Sequence, residues 1–320
     1  MAEIGSDVVA AAALLKQGEV VAIPTETVYG LAGNALDAGA VAKIYAAKNR
    51  PAFNPLIIHT NALNRLPPYV QHVPDIALRL AQQFWPGPLT LLLGKTKRVP
   101  DMVTAGSERV AVRIPQHPVT LQLLSMLDFP LAAPSANPSG YVSPTTAAHV
   151  AEQLGEKIPY ILEGGPCTIG VESTIVGFEK ERVVVYRWGG VTQEEIQQSV
   201  GAGVPVVFHT TEAATPAPGM LASHYAPRQP VVIGDLAKLL DRYAGEPVGL
   251  LTFRDTYPAV AVAYQVALSP AGDLLEAAQR VFSALRYLEK QPVAYILAEM
   301  VPDEGIGRAI NDRLRRAAAD

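Results

Sequence analysis

The sequence predicts an α/β protein, and three observations carry that reading. Short aliphatic runs such as Val20-Val21-Ala22-Ile23, Leu56-Ile57-Ile58 and Val110-Ala111-Val112 have the length and character of buried strands. Between them lie segments with apolar residues at helical spacing, as in 37–47, where Val41, Ile44 and Tyr45 share a face. After Val231 strand and helix alternate regularly, which predicts a small βαβ-type domain with a parallel sheet.

The bulk properties agree with a globular chain. It has 320 residues, enough for one large domain or two ordinary ones, and its 49% apolar content supports a sizeable core. Net charge is −4, and division at residue 200 gives 15 Lys+Arg against 17 Asp+Glu before it and 11 against 13 after. Two near-neutral halves argue against a strong non-specific nucleic-acid binder, so direct tRNA binding is expected to be weak or absent. Cys167 is the single cysteine, which excludes an internal disulfide or thiolate zinc site and fits a reducing compartment. The start of the chain lacks the basic region and cleavage site of a signal peptide, and no apolar run reaches the ~20 residues of a membrane span. A soluble, cytoplasmic protein without membrane association is expected.

In chain order, Ser6 or Asp7 caps a helix to Lys16, closed by Gly18. The strand at 20–23 ends at Pro24 and opens into Thr25-Glu26-Thr27-Val28-Tyr29-Gly30, where hydroxyls flank a carboxylate. A polar loop directly after a buried strand is where α/β proteins bind ligands, although threonines in a turn also bond their own backbone. The 37–47 helix then delivers Lys48 and Arg50 to a helix-to-strand junction, with Pro51 forcing an extended exit. Two cations two residues apart repel unless an anion lies between them, so they read as a phosphate or carboxylate site. The plain alternative is a solvated helix end favoured by the macrodipole.

A helix at 75–85 stops at Pro86-Gly87-Pro88 and a strand follows at 89–93. Gly94-Lys95-Thr96 imitates a phosphate loop, but the first glycine of that motif is replaced by Leu89 and the loop follows its strand in the wrong arrangement, so it is rejected. Strand 110–114 carries Arg109 and Arg113, and helix 119–127 leads through Leu131-Ala132-Ala133 into Pro134-Ser135-Ala136-Asn137-Pro138-Ser139-Gly140. Such a small-residue loop lets backbone approach a ligand and supplies neutral donors, though the same residues build ordinary turns. A helix at 145–154 and strands at 160–162, 172–176 and 183–187 follow, the last expected to close this half, with Thr192 capping a helix to Val200. Residues 201–230, rich in Gly and Pro, read as a semi-extended linker, and the His224-Tyr225 pair within it suggests a function beyond spacing.

The last 90 residues alternate: strand 231–233, helix 236–243, strands 248–253 and 264–268, helix 273–289, strand 294–298 and helix 308–317. Gly305-Ile306-Gly307 does not complete a dinucleotide fingerprint, and Arg313, Arg315 and Arg316 read as a solvated helix end.

Four pieces together, Pro24-Thr25-Glu26-Thr27-Val28-Tyr29-Gly30-Leu31, Lys48-x-Arg50-Pro51-x-x-Asn54-Pro55-Leu56, Pro134-Ser135-Ala136-Asn137 and the 218–227 stretch with His224-Tyr225, resemble the YrdC-like threonylcarbamoyl-AMP synthase family in its long form. The resemblance spans essentially the whole chain. It implies an open twisted YrdC-like domain over 1–200, a linker over 201–230 that folds over the active site, and a Rossmann-like C-terminal domain over 231–320. It also implies a nucleotidyltransferase that makes threonylcarbamoyl-AMP and pyrophosphate from L-threonine, bicarbonate or CO2, and ATP. A separate tRNA threonylcarbamoyl transferase would consume the product.

The family's Lys-Arg-Ser-Asn tetrad falls on Lys48, Arg50, Ser135 and Asn137, with Lys48 and Arg50 as the catalytic cations. The resemblance further implies ATP contacts at Asn54, Arg109, Ser143, Arg187 and Leu221, and threonine contacts at Thr27, His59, Arg113, Ala133 and Ser173. His224 and Tyr225 would act as a lid, and Mg2+ would be held mainly by ATP rather than by side chains. Two other readings compete. A carbamoyl-transfer enzyme with a YrdC-like domain is disfavoured by the single cysteine, and a non-catalytic RNA-binding protein by the near-neutral charge.

Overall fold

The computed structural model describes residues 1–209 and 224–319, so the expected contact at Leu221 lies outside the described residues. Two compact units are present: 1–139, 144–168 and 172–209 form the first, and 140–143, 169–171 and 224–319 the second. Among the described residues, no helix is long and apolar enough to cross a membrane.

The first unit is built on β1 (Glu3–Gly5), α1 (Val8–Lys16), β2 (Val21–Ile23), β3 (Gly30–Asn34), α2 (Ala38–Lys48), β4 (Ile57–His59), α3 (Asp75–Phe84) and β5 (Leu89–Gly94). It continues through α4 (Asp101–Thr104), β6 (Arg109–Arg113), α5 (Pro118–Ser125), β7 (Leu131–Ala132), α6 (Ala147–Leu154), β8 (Tyr160–Leu162), β9 (Thr174–Glu179), β10 (Arg182–Arg187), α7 (Gln193–Val200) and β11 (Val206–Phe208). The strands form one mixed sheet in the order β1-β8-β2-β3-β7-β4-β6-β5-β9-β10-β11.

Helix starts follow local chemistry. Asp7 accepts from Val9 and Ala10 N–H, Asp37 accepts from Gly39 N–H, and Thr192 with Glu195 forms a reciprocal capping box. Alternation along the strands divides the sheet's side chains between two faces. On one, Ala22, Ile58, Leu91, Val112 and Val185 pack with Val41 and Ile44 of α2, Leu80 of α3 and Ile196 of α7. On the other, Val21, Ile23 and Leu131 are covered by α1 and α5, while Ile57, Leu92, Ala111, Ile175, Val184 and Tyr186 form a separate patch.

Three differences from the sequence reading have physical reasons. β11 pairs in parallel with β10 at Val183↔Val206, so β10 is not the last strand, and the Gly/Pro-rich stretch carries regular structure where a distant partner supplies the ladder. β3, to which the sequence reading assigned no element, is a strand because β2 and β7 pair with its two edges, and Gly30 and Gly33 stand where a Cβ would crowd Ala133 and Ile44. Lys95 of the rejected phosphate-loop mimic is buried and spends its charge on Asp101 and on Thr104 Oγ1.

The second unit contains β12 (Val231–Ile233), α8 (Leu236–Arg242), β13 (Val248–Thr252), β14 (Gln265–Ala267), α9 (Leu274–Glu289), β15 (Tyr295–Ala298) and α10 (Gly307–Ala317). Its sheet is parallel throughout, in the order β12-β15-β13-β14, matching the expected βαβ pattern. Segments 140–143 and 169–171, distant in sequence, group with this unit because they pack on α9. Gly170 (φ 82°) comes so close that a Cβ would sit 2.4 Å from Ala278 O. Arg313 is not solvated: it is fully buried, paired with Asp312 at 2.7 Å and stacked 4.9 Å from the Tyr225 ring centroid.

The capping box gives a direct stability test. Thr192→Ala removes one arm of it, and the urea midpoint should fall by the equivalent of about 1 kcal/mol with an unchanged slope. An unchanged midpoint would mean that α7 is held by its apolar face alone.

Candidate active site

β6 and β4 run parallel with His59 directly opposite Arg113, and alternation places both on the face lined by Ile57 and Ala111. The Arg113 side chain is 4% exposed, and so is Glu26 in the loop after β2. Their Nη2 and Oε2 atoms lie 2.8 Å apart, and Arg113 Nε donates to Gly87 O at 3.2 Å. The contact is an ion pair whose angles fall outside hydrogen-bond geometry. Burying either charge alone would cost several kcal/mol, so the two are held there together.

The surrounding loop is pinned from within. Thr25 Oγ1 donates to Val28 O at 2.6 Å and accepts from Thr27 Oγ1 at 2.8 Å, a local turn of the kind the plain reading anticipated. Thr27 is nonetheless fully buried beside Glu26. Burial, and then the neighbouring Glu26 carboxylate, push the Cys167 thiol well up, so it is a neutral wall of this pocket. Burial and the Arg113 cation push His59 down to about 3, so the ring is neutral near pH 7, and its Nδ1 is buried with no hydrogen-bond partner.

A second group gathers at the end of α2. Lys48 is 1% exposed, with Nζ donating to Ser135 O at 2.6 Å and to Asn137 O. Burial, then the Arg50 cation, lower its pKa well below the usual lysine value. The 133–137 loop that receives it is tied down by Ala133 N–H to Ile57 O (3.0 Å), Leu31 N–H to Pro134 O and Ala136 N–H to Tyr29 O (both 2.8 Å). Asn137 is fully buried, and Ala133 is buried over β4. Arg50 closes its own loop, donating to Asn54 O (3.0 Å), Asn54 Oδ1 (2.6 Å) and Pro55 O (2.8 Å), while Asn54 Nδ2 is buried without a partner. The solvated-helix-end alternative fails for Lys48, which is enclosed rather than hydrated.

A third group sits where β5 and β9 begin. Arg187 donates from Nε and Nη2 to Ser173 O at 3.1 and 2.9 Å and from Nη2 to Ser173 Oγ at 3.1 Å; Ser173 Oγ lies 2.8 Å from Thr90 Oγ1. Gly189 permits this packing, since a Cβ there would stand 2.2 Å from Glu172 O. Thr174 N–H bonds Pro88 O, next to the Gly87 that holds Arg113, which joins the second strand pair to the Arg113 pocket.

Four expected residues stand apart. Arg109, at the opposite end of β6 from Arg113, donates to Tyr186 Oη at 3.0 Å and stacks on that ring. Ser143 belongs to the second unit, where the buried Arg286 donates to Val142 O and to Ser143 O (3.4 Å). His224 and Tyr225 also belong to the second unit: His224 N–H bonds Arg316 O at 3.1 Å, and Tyr225 packs against Arg313 and Phe282. The residues that the sequence reading left without a role are Glu26, Thr90 and Cys167. Of these only Glu26 carried a signal, as the single carboxylate inside a hydroxyl-rich loop.

A mixed α/β sheet with buried cations and a small-residue loop converging beside it is the architecture of an α/β domain that binds small anionic ligands. The profile of a family described as telomere recombination, Sua5–YciO–YrdC, matches residues 13–189. A second profile, described as the threonylcarbamoyl-AMP synthase C-terminal domain, matches 191–319. The threonylcarbamoyl-AMP synthase of Pyrococcus abyssi is 42% identical, covering 96% of this chain and 93% of its own. That of Bacillus subtilis is also 42% identical, covering 96% and 92%. A crystal structure of Pyrococcus abyssi Sua5 complexed with L-threonine superposes with a TM-score of 0.90 at 39% identity, covering 97% of this chain and 94% of that one. The chain belongs to the Sua5–YciO–YrdC family.

The neutral, buried His59 makes stability pH-dependent. Its folded pKa of about 3 lies below the ordinary 6.5, so between these values the unfolded chain binds more protons and stability falls as the medium is acidified. His59→Gln should therefore flatten the fall in unfolding free energy below about pH 6.5, by up to about 1.4 kcal/mol per pH unit. Urea midpoints measured across that range check it, and an identical slope in the variant would contradict a buried neutral imidazole.

Proposed function

We propose that this chain is an L-threonylcarbamoyladenylate synthase, joining L-threonine, bicarbonate or CO2, and ATP into threonylcarbamoyl-AMP with release of pyrophosphate. The observation that carries the proposal is the buried Arg113 guanidinium, held by Glu26 and Gly87 O, in a chain closely similar to a protein crystallised with L-threonine. In this reading Arg113 takes the threonine carboxylate as a forked donor. Thr27, His59, Ala133 and Ser173 enclose the rest of the amino acid. The neutral His59 ring suits a side-chain hydroxyl, because its orphaned Nδ1 can pair with a neutral group at no charge cost.

The nucleotide would lie on the side of Lys48, Arg50, Asn54, Ser135, Asn137 and Arg187. The reaction brings a carboxylate, a carbamate and a triphosphate together, so its chief demand is fixed positive charge and preorganised donors rather than a nucleophilic side chain. Lys48, already desolvated and held on two carbonyls, requires little reorganisation to meet a phosphate oxygen. No carboxylate stands among these donors, so Mg2+ would ride on the triphosphate, and its chemistry there is to neutralise phosphate charge. A tRNA-directed transferase would consume the product, since a mixed carbamic–phosphoric anhydride is an acyl donor. Near-neutral charge in both halves of the chain supports the enzyme reading over an RNA-binding one.

Pyrophosphate release from ATP should require both L-threonine and bicarbonate; release without threonine, or none at all, would contradict the proposal. Lys48→Ala and Arg50→Ala should each slow release by about 100- to 1,000-fold, the usual effect of removing one preorganised donor. Arg113→Ala should raise the half-saturating threonine concentration at least about 100-fold, with a smaller effect on that for ATP. Equal effects on both substrates would place Arg113 elsewhere.

A further inference from the structure

Glu26 does more chemistry than pairing with Arg113 requires. Its Oε2 faces Arg113, while Oε1 is buried without a hydrogen-bond partner. A buried acceptor left unsatisfied costs about 1–3 kcal/mol, and more when charged, so such an atom in a native site calls for a ligand. Arg113 shows the complementary pattern. Nε donates to Gly87 O, Nη2 faces Glu26 Oε2 as an ion pair without a hydrogen bond, and no acceptor among the described residues meets Nη1. The end-on fork formed by Nη1 and the second Nη2 proton is left for a carboxylate.

A cation with an open fork therefore stands beside an anion with an open oxygen. An α-amino acid presents the matching pair, a carboxylate and an ammonium joined through one carbon. We propose that Glu26 is a catalytic residue: its Oε1 receives the substrate's α-ammonium and removes a proton from it as the amine is carboxylated. The proposal rests on the synthase reading of the same site. In the step, the ammonium gives one proton to Glu26, and the nitrogen lone pair forms the N–C bond to bicarbonate. The bicarbonate hydroxyl leaves as water, taking the second ammonium proton. Ammonium, bicarbonate and carboxylate thus become N-carboxylate, water and the Glu26 carboxylic acid, with charge and atoms conserved.

The other groups around Glu26 do not compete for this role. The Arg113 guanidinium has donors and no acceptor. His117, after β6, donates from Nε2 to Gly164 O (3.2 Å) and is lowered chiefly by burial, so it is neutral near pH 7. The Cys167 thiol, in the loop after β8, is likewise neutral. Thr25 and Thr27 bond each other and the backbone. Glu26 is the one anion facing the Arg113 fork among these groups.

The test uses the full chain and three readouts. In the parent, calorimetry should show L-threonine binding at least about 100-fold tighter than its analogue with hydroxyl in place of the ammonium; equal binding overturns the proposal without any variant. Glu26→Gln should reduce that preference to less than about tenfold and slow pyrophosphate release at least about 100-fold near pH 7. Its rate should then recover as pH is raised past about 8, where an α-ammonium begins to lose its proton unaided. Glu26→Asp, which keeps the charge, should retain the preference for threonine. A Gln variant within about threefold of the parent, or slowed equally at every pH, overturns the proton-transfer role. A parent that releases no threonine-dependent pyrophosphate overturns the synthase reading itself, a result distinct from either variant outcome.

Discussion

The Glu26–Arg113 ion pair is the interaction on which the site depends. Two opposite charges, each almost wholly removed from water, can persist only if each holds the other, and their geometry is enforced from several directions. Arg113 is fixed by the β4–β6 register and by Gly87 O; Glu26 is carried on a loop whose turn is tied by Thr25. The pair also adds to what burial does around it: burial, and then the cation, keep His59 neutral, and burial, and then the anion, keep the Cys167 thiol protonated. A site walled by neutral groups around one fixed pair of opposite charges suits the amino acid proposed above as its ligand.

The side proposed for the nucleotide uses a different device. Lys48 is anchored by backbone carbonyls rather than by an acid, so its amine is oriented without a paired anion. The loop supplying those carbonyls is held between β3 and β4 by backbone bonds, and its small residues would allow the close approach that the proposed phosphate binding needs. Ser173 and Arg187 complete the other flank because Gly189 lets two chain segments meet without a side chain between them. Paired charge marks one group and oriented cations and backbone dipoles the other, and the adenylation proposed above would need both.

Much of the fold was legible because its determinants are local. Asp7, one of two expected caps, and Thr192 cap the helices they were read to begin, and runs such as Val183-Val184-Val185 form buried strands. What was illegible depends on partners distant in sequence. Val206-Val207-Phe208 becomes a strand only through β10, and Arg313 is buried only because Tyr225 lies across it. Segments 140–143 and 169–171 join the second unit through Arg286 and through the close approach of Gly170 to α9, contacts with no signature in the local sequence. In the site, the cations at Lys48 and Arg50 stood out by spacing. Glu26 did not, since a carboxylate in a polar loop looks solvated until its burial is seen.

The central claim is that one enclosed site joins the threonine nitrogen to bicarbonate carbon and that carbon's oxygen to AMP. Nuclear magnetic resonance of the product made from 15N-labelled L-threonine, 13C-labelled bicarbonate and ATP tests this most directly. The account predicts a single labelled carbonyl directly coupled to nitrogen and, through oxygen, to the phosphorus of AMP. A nucleotide product carrying no labelled carbon, or labelled carbon without nitrogen coupling, would contradict it.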